Sequence, residues 1–306
     1  MPILRLLAPL ALITLLGFLA SRTDVNALKS AMSEISIGHV IAGLALVQIQ
    51  IAVSALRWRF TAKQLGQQIP IPLAIGEYHV ACFLNQSLPG GMAGDAIRAY
   101  RMRNAGPGGW KGPAKAVVFE RLSGQMAFLL LALSGLCVWP FVIGAEDARR
   151  LSLQLAVGVG VLVLAAAIGL VLARRHYPKA AQINEDIAVV FLRNKAWLIQ
   201  STMSLLIVST YVATFFVASD AVGATLPWTA TLTIIPLCLI AMLIPAGMGG
   251  WGTREAAAFT LWPLLGASAS QGLAASLVYG GLSLAGALPG LALITLEAIR
   301  GKPHRA

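Results

Sequence analysis

The chain has 306 residues, of which 58% are hydrophobic and 11% are charged, and its mean hydropathy is +0.77. This composition excludes a water-soluble globular domain, because apolar side chains far outnumber those that a solvated surface accommodates. A helix needs about 20 apolar residues to cross the membrane, so the length predicts roughly six to eight membrane segments. The net charge of +11 comes from basic residues scattered between apolar runs, which is a pattern that sets membrane orientation and does not indicate nucleic-acid binding.

Six long apolar runs are predicted to cross the membrane. They cover residues 3–20, 37–56, 114–144, 151–173, 197–218 and 267–299. Residues 176–195 mix charged and apolar positions, which predicts an amphipathic surface helix. The cluster of Arg57, Trp58, Arg59 and Lys63 is interpreted as an anchor at the cytoplasmic interface. Tryptophans at the ends of the runs are interpreted as an aromatic belt; they are Trp58, Trp139, Trp197 and Trp228.

Two further apolar segments, at residues 73–88 and 229–244, are short and end in bends rich in proline and glycine. The residues that form these bends are Pro89, Gly90, Gly91, Gly94, Pro245, Gly247, Gly249, Gly250 and Gly252. The preferred topology has both termini and 17 of the 23 Lys and Arg residues on the cytoplasmic side. In this topology, each broken segment must return to the side of the membrane from which it enters. The sequence therefore predicts two re-entrant hairpins, at residues 73–104 and 229–266.

The two broken segments belong to an internal repeat. Shifting the sequence by 156 residues gives five identities within eleven positions, where about one is expected by chance. The same offset superimposes the flanking apolar runs. Each half, residues 1–150 and 151–306, contains three crossings, so the second half starts on the opposite side of the membrane. The sequence predicts an all-α polytopic protein with an inverted-topology repeat, in which residues 3–20 are a retained helix although they imitate a signal peptide.

Three motifs carry a family resemblance: LNQSLPGGMAGDAIRAYRM at 84–102, AVVFERLSG at 116–124 and IPAGMGGWGTREAAAF at 244–259. Together they resemble the lysylphosphatidylglycerol synthase transmembrane family, a flippase-like membrane module. The resemblance implies movement of lipids between leaflets, often of aminoacylated, glycosylated or polyprenyl-linked lipids. Full-length synthases carry a soluble aminoacyltransferase domain after the membrane part, whereas this chain stops at Ala306, so the resemblance does not support lysine transfer.

Arg98 and Arg254 are the main candidates for substrate binding, because they occupy matching positions after the two bends. An arginine deep in hydrocarbon costs about 2.5 to 3.5 kcal/mol on insertion scales, which favours a functional role with a partner. The hypothesis is that both bind a lipid phosphate; the alternative is structural pairing with a nearby carboxylate. The other candidates are Asn85, Asp95, Glu120, Arg121 and Glu255, of which the glutamates could neutralise the arginines or contact a lipid amine.

The predicted function is transport of a membrane phospholipid or a polyprenyl-phosphate lipid in the bacterial cytoplasmic membrane. A lipid-modifying enzyme is a candidate partner. We expect no catalytic residue, metal or cofactor, because the sequence has no metal-ligand spacing, no nucleophile beside a base and no nucleotide-binding loop. Two alternatives stay open. One is an intramembrane lipid-modifying enzyme, and the other is a transporter of a small water-soluble anion.

Overall fold

The structure is a computed structural model that describes residues 25–88, 91–107, 109–142, 150, 153–154, 157–158, 160–161, 164, 180–242 and 249–300. The predicted span at residues 3–20 and most of the span at 151–173 lie outside the described residues. So do four residues of the bends, which are Pro89, Gly90, Pro245 and Gly247. In the part of the chain that is described, the regular structure is helical throughout.

Ten α-helices have described bounds: α1 Val25–Ser33, α2 Ile37–Gln64, α3 Ile71–Ser87, α4 Ala93–Arg101, α5 Lys111–Val142, α6 Ala180–Ile187, α7 Ala196–Asp220, α8 Ile234–Ala241, α9 Thr253–Leu261 and α10 Ala269–Arg300. Local sequence explains several of these bounds. Helix α2 begins after Ser36, whose hydroxyl accepts a hydrogen bond from the His39 backbone N–H, while the His39 ring accepts one from the Ser36 backbone N–H. Helix α3 begins at a Pro-rich turn, where proline costs no helical hydrogen bond.

Four helical segments are long and apolar enough to cross a membrane: Ile37–Gln64, Lys111–Trp139, Ile183–Asp220 and Ala269–Arg300. They correspond to four of the six predicted spans. The predicted surface helix at residues 176–195 is helical from Ala180, and it leads into α7 through a π-helical turn and a short 3₁₀ turn. Asn194 and Lys195 have φ values of 52° and 59° at this junction, so the chain kinks there before α7 begins.

The first broken segment folds back on itself, because α4 returns alongside α3. Glu77 of α3 pairs with Arg101 at the far end of α4. Nearer the bend, Asn85 accepts a hydrogen bond from the Gly94 backbone N–H at 2.8 Å. The two helices approach so closely that a methyl group placed on Gly94 would lie 2.2 Å from the carbonyl oxygen of Ala81. Glycine is therefore required at position 94 for the contact between α3 and α4.

We expect Gly94→Ala to destabilise the protein by about 1 to 3 kcal/mol, because the new methyl group must push α4 away from α3. The measurement is the midpoint of thermal unfolding in detergent. Gly281→Ala is the matched control, since nothing lies within 4 Å of a methyl group added there on α10. The control should be neutral or gain up to about 1 kcal/mol from helix propensity. Equal stability of the two variants would contradict the close contact.

The second broken segment consists of α8 and α9, and its bend contacts the bend of the first half. A methyl group placed on Gly91 would lie 3.6 Å from the backbone nitrogen of Gly249. One placed on Gly249 would lie 3.0 Å from the Cα atom of Gln86, at a φ of +55° that disfavours other residues. Gly91 of the first bend therefore lies close to the backbone of Gly249 in the second bend.

The helix bounds follow the offset of 156 residues. Shifted by this amount, α2 would cover residues 193–220, and α7 covers Ala196–Asp220. Helix α5 would cover residues 267–298, and α10 covers Ala269–Arg300. The four long helices thus occur in pairs at corresponding places before and after the two broken segments.

The tryptophans divide into two groups. Trp197 and Trp228 are 57% and 72% exposed, as expected for an aromatic belt. Trp58 and Trp139 are fully buried, so the belt interpretation is wrong for these two. The reason is that α2 and α5 pack against other helices at these positions, which places both rings in hydrophobic clusters instead of at a lipid-facing surface.

Candidate functional site

The first half contains a buried group of five charged side chains, which we call the first-half cluster: Arg57, Asp95, Arg98, Glu120 and Arg121. They come from α2, α4 and α5. All except Arg121 are buried. Charges at such a depth must be paired and hydrogen-bonded to be tolerated. Four of the five residues were predicted from the motifs, and the structure brings them together.

Arg98 lies at the centre of the first-half cluster and is 1% exposed. Its Nη2 atom donates to Asp95 Oδ1 at 2.8 Å and to Glu120 Oε2 at 3.5 Å. The guanidinium carbon lies 4.4 Å from the ring centroids of both Trp58 and Tyr78. Two aromatic faces and two carboxylates therefore stabilise this cation away from water.

Glu120 joins α2, α3 and α4 through one carboxylate. Arg57 Nη2 donates to Glu120 Oε1 at 2.7 Å, and the Tyr78 hydroxyl donates to the same oxygen at 3.1 Å. Arg57 also donates from Nη1 to Ser204 Oγ of α7 at 2.9 Å. The prediction that Arg57 belongs to an interface anchor is therefore wrong. Helix α2 continues to Gln64, seven residues beyond Arg57, which places Arg57 about 10 Å inside the helix end.

Asp95 receives hydrogen bonds or ion pairs from three neighbours. Arg98 contacts Oδ1, whereas the Arg121 guanidinium contacts Oδ2. The side-chain amide of Asn85 donates to Oδ2 at 3.2 Å. Glu120 and Arg121 are adjacent in sequence, yet both point towards the broken segment: Glu120 contacts Arg98, and Arg121 contacts Asp95.

The second half contains a smaller group around Arg254, which is 2% exposed. Arg254 Nη2 donates to Glu255 Oε1 at 2.6 Å, and its Nε donates to Ser276 Oγ at 2.9 Å. The guanidinium carbon lies 5.0 Å from the ring centroid of Trp251 and 4.9 Å from that of Tyr279. Like Arg98, Arg254 is thus paired with a carboxylate and lies against two aromatic rings.

A third ionic group joins the two halves at the end of α4. Arg101 donates to both Glu77 and Glu297, with donor-to-acceptor distances between 2.7 and 2.9 Å. Hydrogen bonds to Glu297 and Glu77 raise the pKa of Arg101, so this guanidinium stays charged. The group connects the first broken segment to α10, the last helix of the second half.

We expect Arg101→Gln to lower the free energy of unfolding by about 1 to 3 kcal/mol, because the buried Glu77 carboxylate loses its charged partner. Thermal unfolding in detergent measures the effect. The double variant Arg101→Gln with Glu77→Gln should recover at least half of the loss, since an uncharged amide is less costly to bury. A double variant less stable than Arg101→Gln alone would contradict this explanation.

Sequence reasoning missed Arg57, Tyr78 and Ser276 as members of these groups. A signal for Arg57 exists in α2, where buried polar residues recur with helical spacing at Gln50, Ser54, Arg57 and Thr61. Among the described residues, no group of three or more His, Cys, Asp or Glu side chains could hold a metal ion. The free cysteines Cys82, Cys137 and Cys238 are separate from one another in sequence.

Four apolar helices of membrane-spanning length, with charged side chains buried between them, define an all-helical multi-pass membrane protein. The sequence matches the family model described as "Lysylphosphatidylglycerol synthase TM region" over residues 5–290. The chain therefore belongs to this family, as its motifs predicted. It matches none of the curated proteins with which it was compared. Family membership supports a role connected with membrane lipids.

Proposed function

We propose that the protein moves a phosphate-containing lipid between the two leaflets of a membrane, with the head group bound beside the bends of the broken segments. The observation that carries this proposal is the buried Arg98, which lies beside the first Gly-rich bend and has guanidinium nitrogens without acceptors among the described residues; Arg254 is its repeat-related counterpart. A guanidinium can donate two parallel hydrogen bonds to a phosphate, which suits it to this ligand. Family membership supports a lipid as the source of the phosphate.

The contact between Gly91 and Gly249 supports a shared path for the head group. Non-helical backbone at membrane depth is tolerated where it is surrounded by protein or lines a polar cavity. In transporters with inverted repeats, the substrate binds where the interrupted helices of the two halves meet. We propose the same arrangement here, with six full spans, two re-entrant hairpins and both termini in the cytoplasm of a bacterial cell.

A translocation assay tests the proposal. The purified protein is reconstituted into vesicles that contain fluorescent phosphatidylglycerol, and a membrane-impermeant reductant then bleaches the outer leaflet. We expect the inner-leaflet label to become accessible faster than in protein-free vesicles. A fluorescent ceramide, which has no phosphate, should not move faster. Equal bleaching with and without folded protein would contradict the proposal.

The same vesicles separate the two alternative functions from lipid movement. Uptake of radiolabelled glycerol 3-phosphate without lipid movement would indicate a transporter of small anions. A new lipid species detected by mass spectrometry would indicate catalysis. We propose transport over catalysis, because the carboxylates of Glu120, Asp95 and Glu255 are all engaged by guanidiniums and are not free to act as general bases.

A further inference from the structure

The two arginine groups differ in charge, although the repeat relates them. The positions that correspond to Arg57, Asp95, Glu120 and Arg121 at the offset of 156 residues are Ala213, Trp251, Ser276 and Leu277. Of the first-half cluster, Arg98 alone has a charged counterpart, which is Arg254. The second half therefore contains the counterpart of the central arginine but not of the other four charged residues.

The charges around Arg254 cancel. Arg254 and Glu255 form an ion pair, and Ser276 donates a further hydrogen bond to Glu255 Oε1 at 2.9 Å. The second oxygen of Glu255 accepts from the Gly252 backbone N–H. Both oxygens of the carboxylate and the Nε and Nη2 atoms of Arg254 are thus used within the protein. This pair needs no additional anion.

The first-half cluster contains hydrogen-bond donors that have no acceptor among the described residues. It contains three guanidiniums and two carboxylates, so its formal charge is +1. Four of its buried guanidinium nitrogens have no hydrogen-bond acceptor within the described ranges: Arg57 Nε, Arg98 Nε, Arg98 Nη1 and Arg121 Nε. In the neighbouring group, Arg101 pairs with Glu77 and Glu297, so this guanidinium has its own carboxylates. Buried cationic donors without acceptors favour binding of an anion.

Asp95 marks where such an anion would bind. Two guanidiniums and one amide, from Arg98, Arg121 and Asn85, converge on its two carboxylate oxygens. The same convergence of donors suits two oxygens of a phosphate. Asp95 also lies in the first turn of α4, directly after the bend, so its position depends on how that bend is placed.

We propose that Asn85, Arg98 and Arg121 form the anion site of the protein, that the Asp95 carboxylate occupies this site in the absence of ligand, and that a phosphate displaces it. The choice of a lipid as the source of the phosphate rests on the proposed function. Exchange of a carboxylate for a phosphodiester replaces one negative charge with another. The exchange also frees the first turn of α4 from Arg121 of α5, which links binding to movement of the first bend. The Arg254 pair has no part in anion binding.

The test measures equilibrium binding of dihexanoyl phosphatidylglycerol, a short-chain phosphodiester lipid, to purified protein in an uncharged detergent. Asp95→Asn removes the competing charge and should raise the affinity about tenfold, which corresponds to the loss of one competing charge-assisted contact. Glu255→Gln is the matched control, because it makes the same chemical change beside Arg254. The control should leave the affinity unchanged. A lower or unchanged affinity of folded Asp95→Asn would overturn the proposal, and so would an equal gain in Glu255→Gln.

A charge-balanced variant separates a specific site from general electrostatics. Asp95→Asn with Arg121→Gln has the same net charge as the natural protein but lacks one donor of the anion site. It should bind the lipid about tenfold more weakly than Asp95→Asn alone. Equal affinity of these two variants would show that Arg121 does not contact the anion, which would also overturn the proposal.

The natural protein gives a readout that needs no change at position 95. The chain has five aspartates, so ¹³C-labelled aspartate gives a small set of carboxylate resonances. Lipid binding should shift one of them in the natural protein and none in Arg98→Gln. An unchanged spectrum at saturating lipid would overturn the proposal. Binding and translocation are measured in separate assays. Lipid binding without lipid movement would contradict the proposed function alone. Lipid movement without displacement of Asp95 would contradict this inference alone.

Discussion

Replacing Arg98 with glutamine should lower the rate at which the reconstituted protein moves a phosphate lipid by about 100-fold. A hydrogen bond to a charged group contributes up to about 3 kcal/mol when it is buried. Each 1.4 kcal/mol, roughly, is a factor of ten. Arg98 is the cation that both Asp95 and Glu120 contact, and it has two further buried nitrogens without acceptors. Arg98→Lys should retain part of the activity, since it keeps the charge but loses the planar pair of donors.

The control for Arg98→Gln is the double variant Arg254→Gln with Glu255→Gln. It removes an equally buried guanidinium together with the carboxylate that balances it. Because the charges of this pair cancel, we expect the translocation rate per folded protein to change less than about threefold, as for substitutions outside a binding site. Full activity of folded Arg98→Gln in the bleaching assay would contradict phosphate binding by Arg98.

Replacing Glu120 with glutamine should cause the largest loss of stability of any single change in the first-half cluster, about 3 to 5 kcal/mol. The Glu120 carboxylate accepts from Arg57, Arg98 and Tyr78, so its neutralisation leaves the three guanidiniums of the cluster with Asp95 as the one remaining carboxylate. Thermal unfolding in detergent, followed by tryptophan fluorescence, measures the change.

Two further variants serve as comparisons for Glu120→Gln. Glu120→Gln with Arg57→Gln removes one charge of each sign and should recover at least half of the loss. Glu185→Gln breaks the exposed ion pair with Arg193 and should cost less than about 1 kcal/mol, since solvent screens such pairs. If Glu120→Gln were no less stable than Glu185→Gln, the Glu120 carboxylate would not be needed to stabilise the buried arginines of the first-half cluster.

The sequence predicted the long helices well because a membrane imposes a simple condition on them. Ile37–Gln64 and Ala269–Arg300 each contain a long, predominantly apolar run, and hydropathy alone identifies such runs. The end of α2 was less predictable. Arg57 and Lys63 resemble one interfacial cluster in the sequence, but the helix continues to Gln64, so Arg57 is buried while Lys63 is exposed. Hydropathy averages over a window and cannot tell which face of a helix end is covered by protein.

The site was predictable to the extent that the repeat and the motifs mark it. Arg98 and Arg254 follow from the offset alone, and the neighbouring motif supplies Asp95, Glu120 and Arg121. The aromatic partners were not predictable, because Trp58 and Tyr78 come from other helices and contact Arg98 only after α2, α3 and α4 have packed. The difference in charge between the halves can be read from the residues at the offset positions. Its functional interpretation requires knowing which side chains contact Arg98.

The junction of Gly91 and Gly249 also determines how easily the two bends can part. Side chains that interlock must change rotamer or leave a hole before a packed contact opens, which makes such contacts switch between discrete states. Gly91 and Gly249 have no side chains that must move when their backbones separate, and each van der Waals atom pair contributes only about 0.1 to 0.2 kcal/mol. The first-half cluster and the Arg254 pair are each held by buried ion pairs, whereas Gly91 and Gly249 contribute only backbone, so we expect the two bends to separate more easily than either charged group.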